Sequence, residues 1–453
     1  MSALDWLFER MAEHREREAL IWEGQTRTYG DLLAGVAQQR SRLADIGIGP
    51  GEVVWLEGDF TFETCGMLLA LIANRSIVVP VSGSSSPSRR SELIELTQAR
   101  WLLREDGGQL RAERTSREIR SELLIALREA GHPGLVLFSS GSTGTPKAIV
   151  HDMSRLLKKY AHRRAAFRTL SFLLIDHIGG MNTLFHTLAN GGTLIFPHNR
   201  HPLHICACIE RYRAELLPTT PSFLNLLIMS EAYKRCDLSS LRIATYGTEA
   251  MNASTLAALA GLFPGLEFRQ TYGLSELGIL RAKSRSSGSL WMKIGGEGVQ
   301  TRIVDGLLHI RSDSAMLGYL NAPDPFDDEG WFNTQDQALV DGDYVRIIGR
   351  ASDIVNVGGR KVFPLEVEEV LLQMPEIQDA VVTGRPHALV GSVLEAAVNV
   401  RAPFAGLGAG QLKALIRSFC RDRLESYQIP VYVTLQEEPL HSERFKKIRN
   451  RRR

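Results

Sequence analysis

The chain has 453 residues, of which 44% are hydrophobic and 23% are charged. This length suits a large domain plus a smaller one, and the composition is typical of a folded globular protein. The 53 basic and 51 acidic residues leave a net charge of +2, so the overall charge gives no indication of a nucleic-acid partner. The local exception is a basic tail over residues 444–453. We interpret it as a solvated end, with nucleic-acid or membrane contact as the alternative.

The cysteines and the apolar segments indicate in which cellular compartment the protein is expected. The five cysteines are odd in number and scattered, which favours reduced thiols in a cytoplasmic setting. The N-terminal residues lack the pattern of a signal peptide. No uncharged apolar run reaches the ~18 residues that a membrane span requires. We therefore expect a cytoplasmic protein without a membrane span.

Strand-like and helix-like segments alternate from the N-terminus. A short strand at 27–29 leads into a helix that runs through Leu43, and a Ser/Gly/Pro stretch at 81–90 is predicted to be a surface loop. Alternation of this kind is typical of parallel sheets with crossover helices. The other segments are predicted to be strands at 52–56, 77–81, 193–196, 215–218 and 241–246, and a helix at 60–73.

After Gly288 the pattern changes to short strands separated by turns. Asp305-Gly306 and Asp341-Gly342 lie between alternating runs, which is a hairpin signal. A last unit contains helix-like segments at 365–372 and 411–424 and strand-like segments at 379–383 and 394–400. We therefore predict an α/β fold. Residues 1–349 would form a large N-terminal domain of layered α/β sheets with a β-rich subdomain, and residues 350–453 a small, mobile α+β domain.

The strongest chemical signal is a loop that follows the apolar strand at 135–138. Its glycines allow close approach of the backbone to a phosphate chain, its hydroxyls donate hydrogen bonds, and its lysine adds charge. It lacks the Gly-Lys-Ser/Thr ending of a P-loop. The pattern predicts a phosphate-binding loop. It consists of Ser139, Ser140, Gly141, Ser142, Thr143, Gly144, Thr145, Pro146 and Lys147.

This loop resembles the phosphate loop of the adenylate-forming superfamily, which includes acyl-CoA synthetases, adenylation domains and luciferases. Further segments match that family in its own order. They are Tyr246-Gly247-Thr248-Glu249, Thr271-Tyr272-Gly273-Leu274-Ser275-Glu276, Trp331-Phe332-Asn333-Thr334-Gln335-Asp336, and the stretch from Gly349-Arg350 through Gly358-Gly359-Arg360-Lys361 to Glu366-Val367-Glu368. The first resembles the adenine-contacting turn, and the last resembles the hinge that opens the small domain.

The resemblance implies ATP and Mg²⁺ and a role for several residues. Asp336 would accept hydrogen bonds from the ribose hydroxyls, with Arg350 as a charged donor nearby. Glu276 would ligate Mg²⁺, and Tyr272 would stack on or line the adenine. Taken singly, each has an ordinary structural alternative, such as a carboxylate at a helix start, a turn residue or a surface cation.

The catalytic lysine and the acyl pocket are the next implications. Lys446 fits the family's lysine, with an arginine three residues on, and Lys447 is a register-shifted rival. His177 would lie beside the reacting carboxylate, or would simply begin a helix. Residues after Gly273 and near Ser222 would line the same pocket.

Together these implications describe a two-step ligase. A carboxylic acid would be activated as acyl-AMP with release of pyrophosphate, and the acyl group would pass to coenzyme A or to the phosphopantetheine of a separate carrier protein. Transfer to an amine or amino acid is the alternative. So is a non-catalytic nucleotide-binding module, because Gln335 replaces the family's glycine beside Asp336 and Ser352 replaces a charged hinge residue.

Overall fold

The computed structural model describes residues 4–83, 87–106, 109–139, 146–442 and 447–449. Its helices are α1 (Asp5–Glu13), α2 (Tyr29–Ile46), α3 (Phe62–Ala73), α4 (Pro87–Thr97), α5 (Glu122–Glu129), α6 (Met153–Leu157), α7 (Ile178–Ala189), α8 (Pro202–Tyr212), α9 (Pro221–Ser230), α10 (Ala253–Leu262), α11 (Pro364–Leu371) and α12 (Ala409–Cys420).

The first thirteen strands, which belong to two large sheets, are β1 (Glu18–Trp22), β2 (Gln25–Thr28), β3 (Val53–Glu57), β4 (Ile77–Val81), β5 (Trp101–Asp106), β6 (Gln109–Arg114), β7 (Gly134–Ser139), β8 (Lys147–Asp152), β9 (Arg168–Leu170), β10 (Thr193–Phe196), β11 (Leu216–Thr219), β12 (Ile243–Tyr246) and β13 (Glu267–Gln270). The others are β14 (Tyr272–Leu274), β15 (Gly278–Leu280), β16 (Ala282–Ser284), β17 (Met292–Ile294), β18 (Val299–Val304), β19 (Leu307–Ser312), β20 (Gly318–Tyr319), β21 (Phe332–Asp341), β22 (Tyr344–Arg350), β23 (Val355–Val357), β24 (Arg360–Val362), β25 (Ile377–His387), β26 (Gly391–Val400) and β27 (Tyr432–Leu435).

Two seven-stranded sheets form the body of the large N-terminal part. One has the order β13-β12-β11-β9-β10-β1-β2 and is parallel apart from the β1–β2 pair. The other has the order β20-β8-β7-β4-β3-β5-β6, with a parallel centre. Helices α3 and α7 are buried along most of their length and share one hydrophobic cluster with strands of both sheets. Helices that are apolar all round pack in this way between layers.

The N-terminal elements agree closely with the pattern in the sequence. The predicted helix after the short strand is α2, and it begins with a capping box in which Thr28 and Asp31 exchange side-chain and backbone hydrogen bonds. The stretch 81–90 is a loop only in part. Helix α4 begins at Pro87, a residue that is favoured in the first turn of a helix.

The β-rich portion is a six-stranded antiparallel sheet in the order β16-β17-β22-β21-β19-β18. The predicted hairpins are present as β18–β19 and β21–β22. Asp305 and Gly306 both have positive φ, at 51° and 76°, as a type I′ turn requires. The turn chemistry therefore determined this hairpin.

The C-terminal unit has its own sheet and core. Strands β23 to β27 form a five-stranded sheet, and α11 and α12 pack on it through a separate hydrophobic cluster. The predicted class, mixed α/β with a large N-terminal and a smaller C-terminal part, is confirmed. Strand β22 ends at Arg350, and a 3₁₀ turn (Ala351–Asp353) follows. The predicted boundary at 349/350 falls at this turn and stays a prediction.

The structure also bears on the expected reduced cysteines and on the expected lack of a membrane span. All five cysteines are free thiols. Within the residues that the structure describes, every helix is too short or too polar to cross a bilayer.

Candidate active site

The predicted adenine turn lies at the carboxyl end of β12, beside the start of the next predicted motif. Thr271 donates to the carbonyl of Tyr246 from its backbone nitrogen (2.8 Å) and from Oγ1 (3.1 Å). A Cβ at Gly247 would lie 2.4 Å from Thr271 Oγ1, so a side chain there would separate the two segments. The fold therefore brings two distant motifs into contact, as neighbouring parallel strands do at one sheet edge.

Several buried polar atoms at this edge have no hydrogen-bond partner among the described residues. Leaving such atoms unpaired costs roughly 1–3 kcal/mol each, and native structures rarely tolerate it without a ligand or water. Thr248 also has a left-handed φ of 74°, and strain of this kind clusters at functional sites. The edge therefore suits a polar ligand such as a nucleotide. The atoms are Thr219 Oγ1, Ser222 Oγ, Tyr246 OH, Thr248 Oγ1 and Asn252 Oδ1.

Asp336, the predicted ribose-binding carboxylate, lies on β21 and is 6% exposed. Its Oδ2 accepts a hydrogen bond from the Tyr272 hydroxyl at 2.5 Å, and its Oδ1 accepts from Arg350 Nε at 3.1 Å. A carboxylate can accept about four hydrogen bonds, so two acceptor positions remain for two hydroxyls. Burial raises the pKa of Asp336, and Arg350 and Tyr272 counteract this in part. Tyr272 thus has a contact that the sequence did not predict.

Gln335 keeps the backbone shape that a glycine would have. Its φ is 60°, in the left-handed region that favours glycine. Its backbone nitrogen donates to Asn333 Oδ1 at 2.9 Å, and the nitrogen of Asp336 donates to Thr334 Oγ1 at 3.1 Å. The replacement of glycine therefore leaves the geometry of the Asp336 loop in place.

Replacing Gln335 by glycine is expected to raise the free energy of unfolding by about 0.5–1 kcal/mol. The relief of about 1–2 kcal/mol of left-handed strain outweighs the backbone entropy that glycine adds to the unfolded chain. Replacing it by valine should lower stability by at least as much. Urea unfolding of the two variants measures both changes. A more stable valine variant would contradict the strained backbone.

Glu276, the predicted metal ligand, lies between β14 and β15. Its Oε1 accepts from the Tyr319 hydroxyl at 2.9 Å. The ammonium of Lys147 lies 4.8 Å from the centroid of the same Tyr319 ring, within the range of a cation–π contact. Tyr319 therefore links the lysine of the phosphate loop to the carboxylate. The sequence analysis missed it, because a lone tyrosine on a short strand carries no motif.

Neighbouring contacts hold Lys147 and the turn that carries Glu276 in place. The side-chain amide of Asn321 donates to the carbonyl of Pro146 and accepts from the nitrogen of Ala148, each at 2.9 Å, so it brackets Lys147. His151 Nε2 lies 2.6 Å from the carbonyl oxygen of Ser275, and burial lowers the pKa of His151 to about 4. A neutral His151 therefore donates from Nε2 and ties β8 to the Glu276 turn.

Tyr319→Phe is expected to lower kcat/KM for ATP about 10-fold and to raise the Mg²⁺ concentration needed for half-maximal rate. The ring stays under Lys147, but Glu276 loses a hydrogen bond of about 1–1.5 kcal/mol. Titrating Mg²⁺ at fixed ATP measures the effect, with Tyr344→Phe as the control. An unchanged Mg²⁺ requirement would show that Tyr319 does not orient Glu276.

His177 is the N-cap of α7. Its Nδ1 accepts from the nitrogen of Gly179 at 2.9 Å, so in the neutral ring Nε2 carries the proton. A Cβ at Gly180 would lie 2.0 Å from the carbonyl oxygen of Leu174, which accounts for the glycine there. The structural alternative from the sequence, a helix-start histidine, is therefore present.

The C-terminal segment 447–449 is held by a buried acid. Glu368 on α11 is 0% exposed. Its Oε2 accepts from Lys447 Nζ at 3.0 Å, and its Oε1 accepts from Arg449 at 2.6 Å and from the nitrogen of Val382 at 2.9 Å. Burial raises the pKa of Glu368, but the two cations outweigh burial and hold it below its usual value. The sequence analysis includes Glu368 in a family motif but assigns it no role, because an acid on an amphipathic helix usually faces solvent.

The same segment reaches the large part of the chain. The backbone nitrogen of Lys447 donates to Glu249 Oε2 at 3.3 Å, while Glu249 Oε1 accepts from the nitrogen of Ser222 at 2.8 Å. A small cleft of about 20 Å³ lies here, lined in part by Asn252, Asp379 and these residues. The adenine turn and the C-terminal segment therefore meet.

Some predicted site residues lie outside the described residues. They are Ser140, Gly141, Ser142, Thr143, Gly144 and Thr145 of the predicted phosphate loop, the candidate lysine Lys446, and most of the basic tail. Ser139 and Lys147, which flank the loop, pair across β7 and β8. Gly273 lies in β14.

Two family models match the sequence. The model described as AMP-binding enzyme matches residues 7–320, and the model described as AMP-binding enzyme C-terminal domain matches residues 366–446. The chain therefore belongs to the AMP-binding enzyme family, and the predicted membership of the adenylate-forming superfamily is confirmed.

Relatives and solved structures agree with this assignment over nearly the full length. A feruloyl-CoA synthase from Amycolatopsis sp is 27% identical over 468 residues, covering 93% of this chain and 92% of the relative. A 4-coumarate–CoA ligase-like protein from Oryza sativa subsp. japonica is 25% identical over 431 residues, covering 85% and 78%. The structure of an anthranilate CoA ligase in complex with anthranoyl-AMP has a TM-score of 0.83 at 20% identity, covering 99% and 95%. An amide bond synthetase from Marinactinospora thermotolerans has a TM-score of 0.77 at 23% identity, covering 96% of each.

Proposed function

We propose that this chain is an ATP-dependent acyl-adenylating ligase, which activates a carboxylic acid as acyl-AMP, releases pyrophosphate and transfers the acyl group to a thiol. The observation that carries the proposal is the sheet edge where the unpaired polar atoms and Thr248 lie close to the contact of Lys447 with Glu249. Family membership and the names of the relatives, which are CoA ligases and synthases, support the same chemistry.

The nucleotide would be held by groups that already have fixed orientations. Asp336 would accept from the ribose hydroxyls, held in place by Tyr272 and Arg350. Lys147 and the loop before it would bind the phosphates. Glu276 would be a protein ligand of Mg²⁺, which supplies charge neutralisation on the phosphates when bound. Within the described residues no cluster of three or more metal-ligating side chains occurs, so water and phosphate would complete the shell.

In the first step the acid carboxylate attacks the α-phosphorus of ATP in line, and pyrophosphate leaves. The protein contributes positioning and charge rather than covalent chemistry. His177, at the start of α7, would lie beside the carboxylate. We assign Lys446 to the charge that builds on the α-phosphate, because the ammonium of its rival Lys447 is bound by Glu368 and by the carbonyl of Ala380.

In the second step an acceptor attacks the acyl carbon of acyl-AMP, and AMP leaves, after the small domain rotates about the turn near Ser352. We propose coenzyme A as the thiol, in keeping with the names of the relatives, and a separate carrier protein as the other source of a thiol. The amide bond synthetase shares the fold, so an amine acceptor is the second candidate. A cytoplasmic location, to which the five free thiols are suited, belongs to the same proposal.

The test is pyrophosphate release from Mg·ATP with a panel of carboxylic acids, followed by mass spectrometry with coenzyme A, a phosphopantetheinylated carrier and amino acids. We expect release that requires an acid and a thioester product. Nucleotide binding without acid-dependent release would instead identify a non-catalytic module, and an amide product would identify the second candidate.

A further inference from the structure

Glu369 is an acid of the C-terminal unit that contacts the large part of the chain. It lies on α11, and its Oε1 accepts a hydrogen bond from the backbone nitrogen of Ala253 at 3.2 Å. The same oxygen lies 3.7 Å from Nη2 of Arg346 on β22, and the side chain of Glu369 is 21% exposed. One carboxylate oxygen therefore joins the C-terminal unit to two separate elements of the large part.

The contact with Ala253 caps a helix. Ala253 is the first residue of α10, a position whose nitrogen has no acceptor within its own helix. The N-cap residue, Asn252, makes no side-chain capping hydrogen bond, and its Oδ1 has no partner among the described residues. A carboxylate at this end of a helix also interacts favourably with the helix dipole. Glu369 therefore supplies, from the C-terminal unit, the cap that the residue before α10 does not provide.

The residue next to Glu369 holds the terminal segment. Consecutive residues of a helix point about 100° apart, so Glu368 faces the core of the C-terminal unit and binds Lys447 and Arg449, while Glu369 faces α10. Burial of Val367, Glu368 and Leu371 fixes α11 within that unit. The way α11 docks on the large part therefore determines where the segment 447–449 lies.

We propose that Glu369 is a positioning residue for the first half-reaction. By capping α10 it holds the C-terminal unit in the orientation in which the terminal segment meets the adenine turn, and so keeps Lys446, the residue before Lys447, available for acyl-AMP formation. Release of the cap would accompany the rotation that precedes the second half-reaction. This inference rests on the proposed function, and it adds the contact that selects between the two orientations.

The first experiment is hydrogen exchange of the full chain without ligands, comparing the wild type with Glu369→Ala. Alanine favours helix, so α11 should persist. We expect the amides of Ala253 and Lys447 to exchange about 10-fold faster in the variant, the effect of losing one hydrogen bond to a charged group. Strand β25 should stay as protected as in the wild type. Lys447 is bound by Glu249 and Glu368 rather than by Glu369, so faster exchange there reports undocking of the whole unit.

The two half-reactions give an independent measurement. With the most active acid of the panel above, Glu369→Ala should slow pyrophosphate exchange about 10-fold. It should leave thioester formation from the synthetic adenylate of that acid near the wild-type rate. Glu369→Gln keeps an oxygen that can accept from Ala253 and should recover part of the loss. Equal slowing of both half-reactions would show a purely structural role and would overturn the inference.

Glu437→Ala is the matched control, because it removes the same charge from an exposed position after β27 in the same unit. It should change neither the exchange nor the rates. Wild-type exchange at Lys447 in Glu369→Ala, or loss of protection in β25, would overturn the inference. An active enzyme whose two half-reactions are unaffected by Glu369→Ala would refute only this inference. A wild type that releases no pyrophosphate with any acid would refute the proposed function, and hydrogen exchange alone would then decide whether Glu369 holds the unit in place.

Discussion

Replacing Lys446 by methionine is expected to slow acyl-AMP formation about 100- to 1,000-fold, the usual effect of removing one group that stabilises developing charge. Thioester formation from supplied acyl-AMP should stay near the wild-type rate, because the α-phosphate charge has to be stabilised in the first step. Pyrophosphate exchange measures the first step, and thiol consumption with synthetic acyl-AMP measures the second.

Lys447→Met is the matched control for this assignment. Its ammonium is bound by Glu368 and Ala380 within the small domain, so its loss should lower stability and leave the rate of adenylation per folded molecule within about 10-fold of wild type. The opposite pattern, with adenylation lost in Lys447→Met and kept in Lys446→Met, would transfer the catalytic role to Lys447. An equal loss of rate in both steps for Lys446→Met would show that Lys446 has no specific role in the first step.

Glu368→Ala is expected to lower the free energy of unfolding of the small domain by about 3–5 kcal/mol, because Lys447 and Arg449 would lose the buried carboxylate that both contact. Each would keep only a longer ion pair, Lys447 with Asp379 at 3.8 Å and Arg449 with Asp353 at 3.5 Å. Urea unfolding followed by hydrogen exchange on β25 measures this change. The matched control is Glu366→Gln on the same helix, where the side chain is exposed and we expect less than about 0.5 kcal/mol.

The same ion pair gives stability a pH dependence with a defined sign. The pKa of Glu368 is lower in the folded state, so its contribution is present above the unfolded value of about 4.3 and is lost as pH falls through the folded pKa. The pKa of Lys447 is raised by the same partner in spite of burial, so its contribution is lost only in strongly alkaline solution. Stability of the wild type should therefore fall below pH ~4 more steeply than that of Glu368→Ala.

Much of the fold could be predicted from the sequence, because its signals are local. The capping box at Thr28 and the Asp305-Gly306 turn specify their elements through neighbouring residues alone. The prediction of a loop over 81–90 was partly wrong, because composition alone does not show where a loop ends and a helix such as α4 begins.

The site was only partly predictable, for a physical reason. Asp336 and Glu276 belong to ordered motifs, but the residues that orient them come from other elements. Tyr319, for example, reaches Glu276 across 43 positions of the chain. Such contacts depend on the packing of the sheets rather than on any spacing in the sequence.

The bonds of Lys447 differ in strength on its two sides. Its side chain is bound within the small domain at 2.8–3.0 Å, whereas its backbone reaches Glu249 in the large part at 3.3 Å. Because the longer hydrogen bond is the weaker one, we expect the terminal segment to move together with the small domain, and the proposed catalytic residue Lys446 to move with it. The same movement of the small domain would then end the first half-reaction before the second begins.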